Sequence, residues 1–235
     1  MRRYIYFVFL LCCAVNLLLT SCVRQKYVVM DMVHHNPGEA MTESKFLDPS
    51  FLKKNEYGAK VFFLFEAAQF GIDWKSFDPS LFPDTTEAGR WVAEKAEIIH
   101  KKYDAAKKED LQVYCMLDML VLPSLLVEKH RTELTNEQGK LDISKPYTQL
   151  CIRELMKEMF ETFPQLDGLV IRTGETYLHD APYYVGNHPV QNGMYDHITL
   201  INLLREEVCE RRNKKLFYRT WDMGQLHSIP KYYLS

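Results

Sequence analysis

The residues best placed for acid–base chemistry stand in one run, Leu166-Asp167-Gly168-Leu169-Val170-Ile171-Arg172-Thr173-Gly174-Glu175-Thr176-Tyr177. An apolar strand delivers Arg172 and then, past Gly174, Glu175. A carboxylic acid at a strand end protonates a glycosidic oxygen when its pKa is raised. A neighbouring arginine acts the other way, because positive charge favours the carboxylate. Arg172 is therefore read as binding an anionic group on a substrate, or as orienting a second carboxylate. The plainer alternative is a surface ion pair between Arg172 and Glu175 at a loop entrance.

Other candidates lie at similar places. His179-Asp180-Ala181-Pro182-Tyr183-Tyr184-Val185-Gly186-Asn187-His188 is rich in donors for a plain linker and reads as a substrate loop, with His179 and Tyr183 as binding residues. Arg219-Thr220-Trp221-Asp222 offers a cation, a stacking face and a carboxylate partner for Glu175, although Trp221 reads equally as a cap on the core. Asp118 ends another apolar run and is a third carboxylate candidate. Asp73-Trp74 reads as an exposed aromatic suited to a sugar face, and His34-His35 as a binding pair or ordinary loop histidines. His179 and His188 lack the i, i+4 spacing of a helical zinc pair, so no metal or other cofactor is expected.

These residues need a scaffold that presents strand ends together. Apolar runs Tyr27–Val33, Ala59–Phe65, Leu111–Leu117, Asp167–Arg172 and Lys215–Arg219 read as strands. Between them, amphipathic stretches read as helices: one opening at Asp48-Pro49, then Thr86–Lys108, Lys145–Phe163 and Ile198–Arg211. Strand alternating with helix implies an α/β fold with a parallel sheet. Neither GxGxxG nor GxxxxGK[ST] follows any strand, which weakens an open nucleotide-binding sheet. Polar residues recur at the carboxyl ends: His34 and His35, Glu66, Asp118, Arg172 and Glu175, then Arg219 and Asp222. That is where a (β/α)8 TIM-type barrel builds its site. A full barrel takes about 250 residues and eight units, and this chain carries about four and a half, so a barrel truncated after the fifth strand is expected, its C-terminal half missing.

The chain has 235 residues with 29 Lys plus Arg against 31 Asp plus Glu, a formal charge of -2. That balance argues against a nucleic-acid binder. Residues 1–21 read as a signal peptide: Met1-Arg2-Arg3, an apolar run Tyr4–Leu19, then Thr20-Ser21-Cys22. The ending Leu19-Thr20-Ser21-Cys22 resembles the bacterial lipobox, which implies a lipid on Cys22 and a chain anchored in the bacterial cell envelope, periplasmic or at the surface. An uncleaved anchor is the alternative. Residues 22–235 then form one partial barrel domain. Cys115, Cys151 and Cys209 sit among apolar neighbours at long spacings and read as buried thiols rather than a disulfide framework.

The layout resembles the barrel domain of α-glucuronidases and related bacterial glycoside hydrolases. The residues that carry it are Leu111 to Pro123, Lys145 to Phe163, Asp167 to Glu175, and Tyr218 to Trp221, within roughly Phe51 to Gly224. The resemblance implies that Glu175 matches the general acid; the family's base carboxylates come from later strands. The expectation is an exported glycoside hydrolase acting on poly- or oligosaccharide, inactive as this chain alone. A non-catalytic surface glycan-binding lipoprotein on a degenerate barrel is the alternative. A structural envelope protein would leave the polar strand ends unexplained.

Overall fold

The computed structural model describes residues 29–31, 44–63, 66–173, 176, 178 and 180–219. Each principal helix starts where local chemistry dictates. Asp48 caps α1 (Pro49–Lys54), its carboxylate accepting from the Ser50 N–H at 2.9 Å, with proline in the first turn. Thr86 caps α2 (Glu87–Lys108), its hydroxyl accepting from the Gly89 N–H at 3.0 Å. Two short helices, α3 (Ser124–Lys129) and α4 (Arg131–Leu134), precede α5 (Pro146–Thr162), which also opens on proline. The last helix, α6 (Met194–Leu204), runs into a π-helical turn over Arg205–Glu210.

The main sheet comprises β1 (Met30–Asp31), β2 (Ala59–Phe62), β3 (Gln112–Asp118), β5 (Leu166–Arg172) and β7 (Lys215–Arg219). Their order in space is β1-β2-β3-β5-β7, and every pairing is parallel. The order never reverses. Right-handed crossovers between successive neighbours then carry each helix to the same side of the sheet.

Packing follows that rule. Val113, Cys115 and Leu117 of β3, with Leu169 and Ile171 of β5, share one core with Val92, Ile99 and Tyr103 of α2, Ile152, Leu155 and Met159 of α5, and Leu200 and Leu204 of α6. The other face carries a smaller cluster of Ala59, Val61, Tyr114, Met116 and Val170, with Met30 and Phe63 against it, and among the described residues no helical residue joins it. The period-two alternation of the strands thus divides a helix-covered face from a helix-free one.

The expected parallel α/β architecture is present, but the barrel is not closed. Among the described residues β1 and β7 each pair on one side only. A second departure is a small antiparallel sheet of β4 (Val121–Pro123) and β6 (Tyr184–Gly186). It draws together two stretches expected to be loops. Asn187 extends the join, exchanging backbone hydrogen bonds with Leu120 at 2.8 and 3.0 Å and binding both backbone groups of Leu141 through its side-chain amide at 2.7 and 3.0 Å.

Candidate functional site

Three of the polar residues expected at strand ends form one row. Asp118, Arg172 and Arg219 are in register across β3, β5 and β7. They share strand parity with Met116, Val170 and Phe217, so their side chains belong to the helix-free face. Asp118 and Arg172 are each 6% exposed. Their pairing is bidentate: Nη2 of Arg172 reaches Oδ2 of Asp118 at 2.6 Å, and Nε reaches Oδ1. This fork geometry is the strong form of a guanidinium–carboxylate contact. Arg219 lies alongside, with Nη1 3.8 Å from the sulfur of Met116.

The backbone beyond Asp118 holds the row in place. The Met119 N–H donates to the Arg172 carbonyl at 3.1 Å, and the next residue is tied to Asn187 as described. A small hollow with room for about one water-sized group opens here, lined by Phe63, Ala67, Gln69, Phe70, Met116, Asp118 and Arg172. It lies at the carboxyl ends of β2, β3 and β5, where barrels and open α/β sheets alike place their ligands.

The arrangement revises the roles expected for these residues. Arg172 was expected to grip an anion or to orient a second carboxylate, and its guanidinium is bound to Asp118. Asp118 was expected as a catalytic carboxylate; both of its oxygens accept from the guanidinium, so it is paired with Arg172. Glu66, expected at the same rim, pairs with Lys102 of α2, and its carbonyl accepts from the Tyr103 hydroxyl at 2.9 Å. It therefore belongs to the helix side.

Two aromatic expectations are corrected. Trp74 is wholly buried, with Phe77 edge-on to it at 6.1 Å. A side chain with no accessible face cannot stack on a sugar; Ile72, Trp74, Leu81 and Phe82 of this loop fold into the core. Tyr183 packs edge-on to Trp91 of α2 at 5.7 Å and does not line the hollow. Partial burial, with the nearby Glu87 carboxylate, holds its phenol above the ordinary range. The expected substrate loop around it is largely structural. Tyr184 is core, stacked at 5.7 Å on Phe82 and donating to the Gln69 carbonyl at 3.3 Å.

Glu175, Asp222, His179, Trp221, His34 and Cys22 lie outside the described residues. So does any geometry between Glu175 and the row. Burial pushes the Cys115 and Cys151 thiols up to about 12, which makes neither a nucleophile. Among the described residues no group of three or more His, Cys, Asp or Glu could hold a metal ion. No helix among them is long and apolar enough to cross a membrane.

Comparison with known proteins adds the following. No family model matches the chain, and no curated protein matches it. Among solved structures it is similar to a noncanonic maltogenic α-amylase, AmyB, from Thermotoga neapolitana, with a TM-score of 0.44 and 13% identity over 80% of this chain. It is also similar to a GH138 enzyme targeting pectin rhamnogalacturonan II, with a TM-score of 0.42 and 14% identity over 88% of this chain. The chain spans 44% of the amylase and 24% of the GH138 enzyme. Neither is described as an α-glucuronidase, and that finer resemblance rests on the sequence motifs alone.

Proposed function

We propose that this chain forms the first part of a (β/α)8 barrel of a glycoside hydrolase, exported and anchored at the cell envelope through a lipid on Cys22. The observation that carries the reading is the buried Asp118–Arg172 pair in register with Arg219 at the carboxyl ends of a parallel sheet, on the face that no described helix covers. A buried charged row is costly to desolvate and adds little net stability. Its position at the ligand-binding end supports a functional role. Unreversed strand order and one-sided helices are what a barrel requires, and the helix-free face would be its interior.

In this reading Glu175, three residues beyond Arg172, donates a proton to the leaving glycosidic oxygen, and a second carboxylate activates water or attacks the sugar. Asp222 is the first candidate for that carboxylate, because Asp118 is committed to Arg172. Asp118 and Arg172 then position the rim rather than react.

The test is hydrolysis of an oligosaccharide panel by the protein expressed from its complete gene. Glu175→Gln should lower turnover by about 10²–10⁴-fold while leaving sugar binding in place. Binding without turnover in the wild type would favour the glycan-binding alternative, in which Glu175→Gln changes nothing. Mass spectrometry of membrane-extracted protein should find acylated Cys22 as the first residue. An unmodified N-terminus elsewhere would overturn the anchoring proposal.

A further inference from the structure

Gln69 is 2% exposed, and its side-chain oxygen Oε1 is buried without a hydrogen-bond partner among the described residues. It lines the hollow that Asp118 and Arg172 close from the other side. Nothing in its sequence setting, Ala67-Ala68-Gln69-Phe70-Gly71, marks it as functional. Buried polar groups are almost always paired, so an orphan facing a cavity calls for a reason.

Poor seating of the residue is not the reason. Gln69 lies in a short 3-10 turn, Ala68–Gly71, that is fixed at every step. Its own carbonyl accepts from the Tyr184 hydroxyl. The Ala68 N–H donates to the sulfur of Cys115 at 3.2 Å. Phe70 packs edge-on to Tyr184 at 5.0 Å. A Cβ on Gly71 would stand 2.7 Å from the Phe163 ring, which shows how closely the turn is seated on the core. The backbone is held from behind, and the residue lines the hollow.

We propose that Gln69 is a specificity-determining residue of the rim hollow, hydrogen-bonding a hydroxyl group of a neutral sugar. This rests on the carbohydrate reading above and extends it to one residue and one class of ligand group. The hollow has room for about one water-sized group, which suits a single hydroxyl of a larger ligand and not a whole sugar ring. Among the described residues its polar lining is Gln69, Asp118 and Arg172; the last two bind each other, and the Gln69 oxygen is the atom left without a described partner. A hydroxyl both donates and accepts, so it satisfies the amide in either orientation. A carboxylate entering here could take a hydrogen bond from the Gln69 amide only with its NH2 turned inward and would still lie beside the Asp118 carboxylate, so a uronic acid is less favoured than a neutral hydroxyl in this subsite.

Saturation-transfer NMR on the full-length protein tests this, with glucose, galactose, mannose, xylose and glucuronic acid as the probes. The wild type should bind at least one neutral sugar more tightly than glucuronic acid. Gln69→Leu should weaken that sugar about tenfold, the worth of one hydrogen bond lost in a closed site. Gln69→Asn and Gln69→Glu should fall between or change the preferred sugar. The thermal unfolding midpoint of Gln69→Leu should equal or exceed that of the wild type, because an unpaired polar group has been replaced by an apolar one of similar size. A lowered midpoint with unchanged sugar binding would make Gln69 a structural residue holding an internal water, and would overturn the proposal. Equal binding by wild type and Gln69→Leu would overturn it while leaving the carbohydrate reading intact. No binding of any sugar by the wild type would overturn both.

Discussion

At Asp118 and Arg172 the charges are held together by the absence of water as much as by each other. Removing one partner takes the bidentate contact from a charge that stays buried, so Asp118→Leu and Arg172→Leu should each cost about 3–5 kcal/mol. The double variant Asp118→Leu, Arg172→Leu should cost less than the sum of its single changes, because no lone charge remains. Urea unfolding of the four proteins measures both. Additive losses would mean that the pair is solvated, and the rim proposal would lose its basis. Trp74 sets the contrast. Trp74→Ala should cost about 3–5 kcal/mol, as a core truncation does, and circular dichroism melts would show it. A sugar-stacking tryptophan would instead lose affinity with little change in stability. The strand-end residues were legible in the sequence because an apolar run ending on a charge fixes both place and direction. Trp74 was misread because residue type says nothing about which way a loop folds.

Among the elements, the strands carry the register that aligns Asp118, Arg172 and Arg219, and Gly168 is where that register is most tightly constrained. A Cβ there would stand 2.1 Å from the Lys215 carbonyl oxygen of β7. The neighbour is backbone in a paired strand and cannot step aside, so Gly168→Ala should cost about 3 kcal/mol, the upper end for overpacking. Amide exchange should speed up across Lys215–Arg219 while β2 and β3 keep their protection. Uniform exchange across the sheet would show that β7 adjusts without losing its pairing. The main strands were readable from apolar runs, the start of α1 from the Asp48 cap, and α2 from its amphipathic pattern. The antiparallel join of Val121–Pro123 with Tyr184–Gly186 was not. Three residues give no measurable alternation, and their partners lie far apart in sequence. Gln69 was hidden for a related reason: its role depends on a cavity made by β2, β3 and β5 together.

At the scale of the molecule, the last helix and last strand are joined by a group that makes the fold sensitive to acid. His197 of α6 is buried with its ring 5.1 Å from that of Tyr218 on β7. Burial, with a contribution from the positive charge His188 would carry, lowers its pKa from 6.5 to about 4. Burial likewise lowers His188. Between these limits the unfolded chain binds a proton that the folded chain refuses, so stability rises with pH across the window. The contribution is fully present above pH 6.5 and is lost as pH falls toward about 4. For His197 alone the full span is on the order of 3 kcal/mol. Asp78, held at about 2 by Lys129 and Ser80, keeps its contribution through that window and gives it up only at lower pH. The urea midpoint should therefore begin to drop below pH 6.5, and below about pH 5 the paired carboxylates such as Glu206 add to the fall. His197→Phe keeps a ring against Tyr218 and removes the titrating group, so its midpoint should fall much less over the same range. The residual slope in that variant belongs to His188 and to the paired carboxylates. A wild-type midpoint that stays level from pH 6.5 to 4 would mean that His197 is hydrated in solution. The seat of α6 against β7 would then be looser than the packing around His197 and Tyr218 implies, and with it the placement of Arg219 at the end of the row.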